Sequence, residues 1–237
     1  MKAMIFAAGL GTRLKPFTEN APKALAKVAG KTLLERNIRY LQQAGIFDVI
    51  INVHHFADMI EDVVNTNNGF GSTITISDER NAVLETGGGL KKAAWFFANE
   101  PAYVVMNVDV LTNMNISKLI AAHQTGNTGT LAVSKRPSSR QLLFNDAMQL
   151  CGWQNNATGE EKIARLDAAT HPYSFSGIQV LTNDIWVDTP FDGKFSLIDL
   201  YLHAAKTKNI SGFDHSGDIF IDVGKPESIA QAEALFV

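Results

Sequence analysis

The sequence is poor in cysteine: its 237 residues include one, Cys151. A single thiol excludes internal disulfide bonds and zinc sites built from several cysteines, so a reducing compartment is the simplest context. Long apolar runs are also absent. No segment approaches the length that crosses a membrane, and the apolar start of the chain is too short for the core of a secretory signal. We therefore predict a cytoplasmic protein with no membrane partner.

An excess of positive charge is missing as well. The formal net charge is −3, and charged residues are spread along the chain. Proteins that bind nucleic acids or anionic membranes usually carry a basic excess, so the composition argues against both partners. Hydrophobic residues make up 46% of the sequence, and its length fits one α/β domain better than two. We expect a single domain over residues 1–237.

Two common nucleotide-binding patterns are not found. The P-loop string, GxxxxGK followed by Ser or Thr, does not occur in the chain. The dinucleotide fingerprint GxGxxG is incomplete, because Leu14 stands where its third glycine belongs and two prolines delay any helix. The dinucleotide interpretation is therefore the weaker alternative for this segment.

The N-terminus does contain an apolar strand that runs into a basic, glycine-rich loop. Open α/β sheets bind ligands at the carboxyl ends of their strands, where free backbone N–H groups suit a phosphate. We predict a cradle for a nucleoside triphosphate. A glycine-rich turn with unrelated surface charges is the alternative, and it explains the glycines but not the cations beside them. The loop residues concerned are Gly9, Gly11, Thr12, Arg13, Lys15 and Lys23.

The order of strand and helix patterns predicts an α/β fold. They alternate through the first half, as in a mostly parallel sheet with crossover helices. Thr32 and Glu35 predict a helix start, and Pro226 predicts the start of a last helix. The second half is rich in short strand patterns. We expect a nucleotide-binding half at residues 1–110 and a β-rich, sugar-phosphate-binding half at residues 111–237.

Three further features carry candidate chemistry. Asp109 and Asp222 each follow an apolar strand, which suits a magnesium ligand beside a triphosphate. A helix cap or turn is the alternative for either residue. The string ETGGG at residues 85–89 predicts a loop ahead of a helix, whose glycines let the backbone approach a base or ribose. A flexible hinge is the alternative there.

Together these motifs resemble the sugar-1-phosphate nucleotidylyltransferase family, and the resemblance spans nearly the whole chain. It rests on AAGLGTRLKPFT, the following Pro22-Lys23, ETGGG, Asp109 and the closing DVG. It implies a three-layer Rossmann-like nucleotide-diphospho-sugar transferase fold, a Mg²⁺ cofactor, and transfer of a nucleotidyl group from a nucleoside triphosphate to a sugar 1-phosphate. UTP with N-acetylmuramate 1-phosphate or a related hexose 1-phosphate is the favoured pairing, and a mannose or heptose 1-phosphate guanylyltransferase is the alternative.

The resemblance also implies roles for individual residues. The sugar phosphate is already an anion, so the reaction needs no nucleophilic side chain and no general base. Catalysis would involve Arg13, Lys23, Asp109 and Asp222, and the two aspartates would hold magnesium. Nucleotide contacts would come from Ala8, Gly9, Gly11, Thr12, Arg13, Lys23, Glu85, Thr86, Gly87, Gly88 and Asn107.

One motif of the family is missing from the second half. Many members carry a Glu-Lys-Pro string whose lysine grips the sugar phosphate, and the equivalent region here is CGWQN at residues 151–155. Arg140 is the candidate replacement, with an ordinary exposed loop arginine as the alternative. Ser176, Gly177 and Asp199 are further candidate sugar contacts, and an ordinary buried strand is the alternative for Ser176.

Two other classes of function stay open at this point. A glycosyltransferase would use a similar sheet and metal, but its diphosphate donor has no pyrophosphate leaving group for Arg13 and Lys23 to hold. A catalytically silent, nucleotide-binding regulatory subunit is the third hypothesis, and the retained site residues argue against it. The oligomeric state, including a homodimer, is left open.

Overall fold

The computed structural model describes residues 1–236, which form fourteen strands and six α-helices joined by loops and 3₁₀ turns. The strands are β1 (Ala3–Phe6), β2 (Lys27–Val28), β3 (Lys31–Thr32), β4 (Asp48–Val53), β5 (Thr73–Asp78), β6 (Tyr103–Asn107), β7 (Val110–Thr112), β8 (Asn127–Ser134), β9 (Arg140–Phe144), β10 (Leu150–Asn155), β11 (Glu160–Ile163), β12 (His171–Leu181), β13 (Asn209–Asp214) and β14 (Phe220–Asp222). The helices are α1 (Leu33–Gln42), α2 (Ala57–Thr66), α3 (Glu85–Lys92), α4 (Ile116–Ala122), α5 (Leu197–Ala205) and α6 (Pro226–Leu235).

Ten strands form one mixed sheet that contains segments from both halves of the chain. β6, β1, β4 and β5 are adjacent and parallel, so their carboxyl ends lie at one edge. β12, β9, β10 and β11 extend the sheet with antiparallel pairs. The predicted α/β class and β-rich second half are confirmed. The division at residue 110 stays a prediction.

Helices cover both faces of the sheet, which gives three layers. One core cluster packs residues of α1, α2, α4 and α6 against one face. A second cluster packs α3 and α5 against the other, and we call this the α3–α5 face. Side chains alternate along a strand, so Met4 and Phe6 of β1 and Leu142 and Phe144 of β9 all lie on the α3–α5 face. None of the helices formed by residues 1–236 is long and apolar enough to cross a membrane.

Most predicted elements are present, and one is placed differently. The Thr32 hydroxyl accepts a hydrogen bond from the Glu35 N–H at 3.0 Å and caps α1, and α6 begins at Pro226. The ETGGG string, however, lies inside α3 and is not a loop ahead of it. Its glycines are in the helix because α3 packs closely on neighbouring backbone. A Cβ at Gly88 would collide with the Gly193 carbonyl oxygen, and one at Gly87 with the Phe195 ring.

The long strand β12 pairs with strands from both halves of the chain. Its residues 178–181 pair with β6, and residues 171–173 pair with β9. β8 pairs with Ser174 and Phe175 and so occupies one side of β12 at these residues. β9 and β6 therefore lie one after the other along the opposite side of β12. Residues 174–177 of β12 therefore bridge the end of β6 and the start of β9.

Candidate active site

A cavity of about 360 Å³ opens at the carboxyl ends of the parallel strands. Its lining extends from Glu79, just after β5, to Asp109, just after β6, and includes residues of both motifs at residues 8–13 and 85–86. Most of the predicted nucleotide contacts are therefore brought together in one place. The predicted residues that line the cavity are Ala8, Gly9, Gly11, Thr12, Arg13, Lys23, Glu85, Thr86, Asn107 and Asp109.

The glycine-rich loop depends on Gly11. This residue has a φ of 62°, in the left-handed region that glycine adopts without steric cost. A Cβ there would lie 2.8 Å from Thr18 Cγ2, while the Thr18 hydroxyl donates a hydrogen bond of 2.8 Å to the Gly11 carbonyl. The loop is thus folded back on the following turn, and its backbone and Arg13 face the cavity.

Three of the predicted catalytic residues meet at one end of the cavity. The Lys23 ammonium is in direct contact with the Asp109 carboxylate and lies 3.9 Å from Asp222 Oδ1. A pairing between β7 and β14 explains this meeting, since it carries Asp222 to the strand that follows Asp109. Arg13 reaches the same end: its Nη2 lies 3.4 Å from the position of a Cβ on Gly224.

The charges around Asp222 act on its pKa in opposite directions. Partial burial raises the pKa of Asp222, and the nearby Asp109 carboxylate raises it further. The cations of Lys23, Arg13 and Arg136 lower it, but the net direction is upward. Two carboxylates that repel one another in this way stabilise a cation placed between them.

Asp109 and Asp222 are the candidate ligands of a metal ion. Residues 1–236 contain no cluster of three or more His, Cys, Asp or Glu side chains arranged to hold a metal ion. A magnesium ion, however, commonly takes one or two protein carboxylates and completes its shell with substrate phosphate and water. Asp109 and Asp222 converge on the Lys23 ammonium, so their oxygens already face a single positive charge. The donor set fits a hard divalent cation.

The start of α3 is built differently from the sequence expectation. The N–H groups of Gly87 and Gly88 donate to the Phe195 carbonyl, at 2.9 and 3.3 Å, and both residues are buried. The expectation that these two amides face the base or ribose is therefore corrected. Thr86 and Glu85 do line the cavity, and the Thr86 hydroxyl accepts a hydrogen bond from the Leu197 N–H at the start of α5.

Two residues that the sequence analysis missed line the far end of the cavity, Asn52 and Glu79. The Asn52 amide donates to Glu79 Oε1 at 2.8 Å, and its oxygen accepts the Ala7 N–H at 2.8 Å. Glu79 is only 2% exposed, and burial raises its pKa. A signal was available, because Glu79 directly follows the strand pattern TITISD, just as Asp109 follows the strand pattern of β6.

A third missed residue is Arg136, just after β8. Its Nη1 donates to the hydroxyls of Ser134 and Ser176, at 2.8 and 2.9 Å, and its Cζ lies 4.0 Å from the Phe220 ring centroid. The Ser176 hydroxyl also lies 2.7 Å from His215 Nε2. Ser176 is buried and engaged on both sides, so the expectation of a sugar contact through its side chain is corrected.

The other predicted sugar contacts lie around β12 and α5. Gly177 is packed against the Asn107 side chain at the cavity edge. The Asp199 carboxylate is paired with Lys162 at 3.0 Å. Arg140 is exposed at the first position of β9, and its guanidinium makes no hydrogen bond or ion pair with any residue in the range 1–236. Contacts of these three residues with a sugar stay predictions.

Comparison with known proteins decides the family. The nucleotidyl transferase family model matches residues 2–144, more than half of the chain. The chain belongs to the nucleotidyl transferase family. Members of this family generally use a divalent metal ion, in agreement with the carboxylate pair described above.

Relatives of this nucleotidyl transferase match it over nearly its whole length. N-acetylmuramate alpha-1-phosphate uridylyltransferase of Caulobacter vibrioides is 32% identical over 98% of the chain and 95% of its own length. D-glycero-alpha-D-manno-heptose 1-phosphate guanylyltransferase of Campylobacter jejuni is 30% identical over 96% of each chain. The crystal structure of HddC from Yersinia pseudotuberculosis, complexed with GMP-PN, has a TM-score of 0.80 at 26% identity and covers 100% of this chain and 99% of its own. The predicted family, fold class and enzyme class, sugar-1-phosphate nucleotidylyltransferase, are confirmed.

Proposed function

We propose that this nucleotidyl transferase transfers the uridylyl group of UTP to N-acetylmuramate 1-phosphate, in a magnesium-dependent reaction in the cytoplasm. The observation that carries the site assignment is the meeting of Lys23, Asp109 and Asp222 beside the glycine-rich loop. The substrate assignment is supported by the Caulobacter uridylyltransferase, which matches nearly the whole chain, including the second half where a sugar phosphate would bind.

In this reaction a phosphate oxygen of the sugar 1-phosphate forms a bond to the α-phosphorus of UTP, and the bond from that phosphorus to the bridging oxygen breaks. Pyrophosphate leaves with the electron pair of that bond. Because the attacking oxygen is an anion, the barrier comes mainly from charge repulsion and from alignment. The side chains of this site supply positive charge and orientation, and none acts as a nucleophile.

Each part of the cavity has a role in that scheme. Backbone N–H groups of residues 8–11 and the Arg13 guanidinium stabilise the charge that develops on the departing pyrophosphate. Lys23 neutralises the α-phosphate region. Asp109 and Asp222 would hold magnesium, which would act as a Lewis acid and withdraw charge from the phosphates. The base lies toward Glu79, since Asp109 and the reacting phosphate occupy the opposite end of the lining.

A guanylyltransferase is the second candidate, and it has its own support. HddC, whose structure contains GMP-PN, has the same fold over the full chain, and the Campylobacter heptose enzyme is 30% identical. The base pocket therefore has to be tested with all four triphosphates.

A pyrophosphate-release screen of the four nucleoside triphosphates against a panel of sugar 1-phosphates tests the proposal. We expect a divalent-metal-dependent signal that is strongest for UTP with N-acetylmuramate 1-phosphate. Lys23→Ala should lower kcat by about 10²- to 10³-fold, as expected when a group that stabilises transition-state charge is removed. Lys27→Ala is the matched control, because Lys27 is an exposed lysine of β2. A strongest signal for GTP with another sugar phosphate would refute the assignment, and an unchanged Lys23→Ala enzyme would refute the site.

A further inference from the structure

The surface next to the active-site cavity contains an arginine that the transfer chemistry does not use. Arg140 begins β9, pairs with Asn155 of β10, and is exposed. This inference rests on the proposed function, because it concerns how the acceptor sugar is recognised.

The fold places Arg140 at the acceptor side of the cavity. β9 pairs Leu142 with Tyr173 of β12, so extending this register by two residues brings Arg140 beside Phe175. Asn107, at the end of β6, lies against Gly177. Positions 175 and 177 are two residues apart on β12, at most about 7 Å at ~3.3 Å per residue. The start of β9 thus lies next to the strand end that lines the nucleotide cavity.

Arg140 also lies on the face of the sheet where the nucleotide cavity opens. It is two residues before Leu142 and four before Phe144, both of which are in the core of the α3–α5 face. Phe6, which lines the cavity, belongs to the same core. A sugar attached to a phosphate near Asp109 can therefore extend along this face toward Arg140 without crossing the sheet.

The charges on this part of the surface leave Arg140 without a counterion. No acidic residue in the range 1–236 forms an ion pair with Arg140, and the acids Asp199 and Glu160 are paired with Lys162 at 3.0 and 4.0 Å. Trp153, which is opposite Leu142 in the sheet, adds half-buried apolar surface beside the arginine. This combination suits a sugar that carries an anionic substituent.

That anion is distinct from the phosphate that reacts. The cations that lower the pKa of Asp222 are Lys23, Arg13 and Arg136. The reacting phosphate near Asp109 and Asp222 is therefore served by other cations. N-acetylmuramate differs from N-acetylglucosamine by a lactyl ether on O3, whose carboxylate is ionised at neutral pH and lies on the opposite side of the sugar ring from C1.

We propose that Arg140 is the specificity-determining residue that binds the carboxylate of the acceptor sugar, so that the enzyme selects N-acetylmuramate 1-phosphate over N-acetylglucosamine 1-phosphate. A guanidinium matches a carboxylate through two parallel hydrogen bonds, and an ammonium does not reproduce that geometry. Arg140 is not a catalytic residue in this assignment, because it contacts neither the reacting phosphorus nor the leaving group.

The test compares the two acceptors, which differ only in the lactyl group, with UTP held constant. In Arg140→Ala the ratio of kcat/KM for N-acetylmuramate 1-phosphate to that for N-acetylglucosamine 1-phosphate should fall by about 10- to 100-fold, the usual range for a lost charged hydrogen bond. Arg140→Lys should give an intermediate ratio and guards against a folding defect. If N-acetylglucosamine 1-phosphate is not turned over, its inhibition constant is measured with N-acetylmuramate 1-phosphate as the substrate and is used in place of its kcat/KM.

Arg39→Ala is the matched control, since Arg39 is exposed on α1 and is paired with Glu35 on the other side of the sheet. The ratio of its kcat/KM values for the two acceptors should equal that of the wild type. Equal losses for both acceptors in Arg140→Ala would overturn the proposal and identify Arg140 as a phosphate contact. An unchanged ratio would also overturn it. Failure of the wild-type enzyme to use N-acetylmuramate 1-phosphate with any triphosphate would instead refute the proposed function.

Discussion

Lys23 Nζ lies 3.9 Å from Asp222 Oδ1, although the two residues belong to opposite ends of the chain. The lysine follows the N-terminal loop, whereas the aspartate ends the last strand. The Lys23 ammonium lies between the carboxylates of Asp109 and Asp222, so three charges that alternate in sign share one end of the cavity. Because the site combines residues from both ends of the chain, it forms only in the complete fold.

The first prediction concerns the repulsion between Asp222 and Asp109. Because the pKa of Asp222 is raised in the folded protein, its carboxyl stabilises the fold at acidic pH, and this contribution is lost as the pH rises through the raised pKa. In metal-free protein, Asp222→Asn should therefore have a higher Tm than the wild type at pH 7 to 8, and the difference should shrink toward pH 4. Thermal unfolding over this pH range checks it.

Magnesium supplies the internal control for that experiment. A divalent ion bound to both carboxylates relieves their repulsion, so millimolar Mg²⁺ should raise the Tm of the wild type and not that of Asp222→Asn. The prediction is wrong if the variant is less stable than the wild type at pH 8 in the presence of a chelator.

The second prediction concerns Glu79 and the choice of base. An ionised carboxylate only accepts hydrogen bonds, whereas the Gln side chain both donates and accepts. Guanine presents two adjacent N–H donors, and uracil presents one N–H donor between two carbonyl oxygens. Glu79→Gln should therefore keep or improve the KM for UTP and weaken any use of GTP. Steady-state KM values for the two triphosphates measure this, and a large rise in the KM for UTP would contradict it.

The third prediction concerns the hydroxyl of Ser176, which links Arg136 and His215. Ser176→Ala removes a partner of the buried His215 ring and of the half-buried Arg136 guanidinium, so the free energy of unfolding should fall by about 1–3 kcal/mol. Urea unfolding gives the value. Ser138→Ala serves as the comparison, because Ser138 is exposed and accepts only from the Arg140 N–H at 3.2 Å. Equal stability of both variants would show that the buried link contributes nothing.

The fourth prediction concerns the glycines inside α3. Gly88→Ala should lower stability by about 1–3 kcal/mol or more, the usual cost of overpacking, because the new methyl group meets the Gly193 carbonyl. It should also weaken nucleotide binding, since Glu85 and Thr86 of the same helix line the cavity. The control is Gly217→Ala, where no atom lies within 4 Å of the added methyl group. Calorimetry and titration with UTP measure both effects, and wild-type behaviour of Gly88→Ala would disprove the packing argument.

Much of the site was predictable because the relevant signals are local. The run of apolar residues before Gly9, before Asp109 and before Asp222 marks three strand ends. In an open α/β sheet the carboxyl ends of adjacent parallel strands lie at the ligand edge, which places the ends of β1 and β6 there. Asp222 ends β14 and reaches the site through the antiparallel pairing of β14 with β7. The ETGGG string was misplaced for the opposite reason. Three glycines disfavour a helix by intrinsic propensity. Only the close packing of Gly87 and Gly88 on residues 193–195, and of Gly89 on the Glu79 and Asn52 side chains, makes them necessary there.

The sequence by itself determined the α/β class, the glycine-rich loop, the two strand-end aspartates and the family, because each depends on residues close together in the chain. Only the tertiary structure decided that Ser176 is buried beneath Arg136, that Glu79 faces the cavity, and that Arg140 lies beside the end of β6 on the cavity face. The first and last of these relations are set by the register of β12 with three neighbouring strands, and the position of Glu79 is set by the pairing of β5 with β4. A register between distant segments is fixed by packing and hydrogen bonding across the sheet, and no short stretch of sequence encodes it.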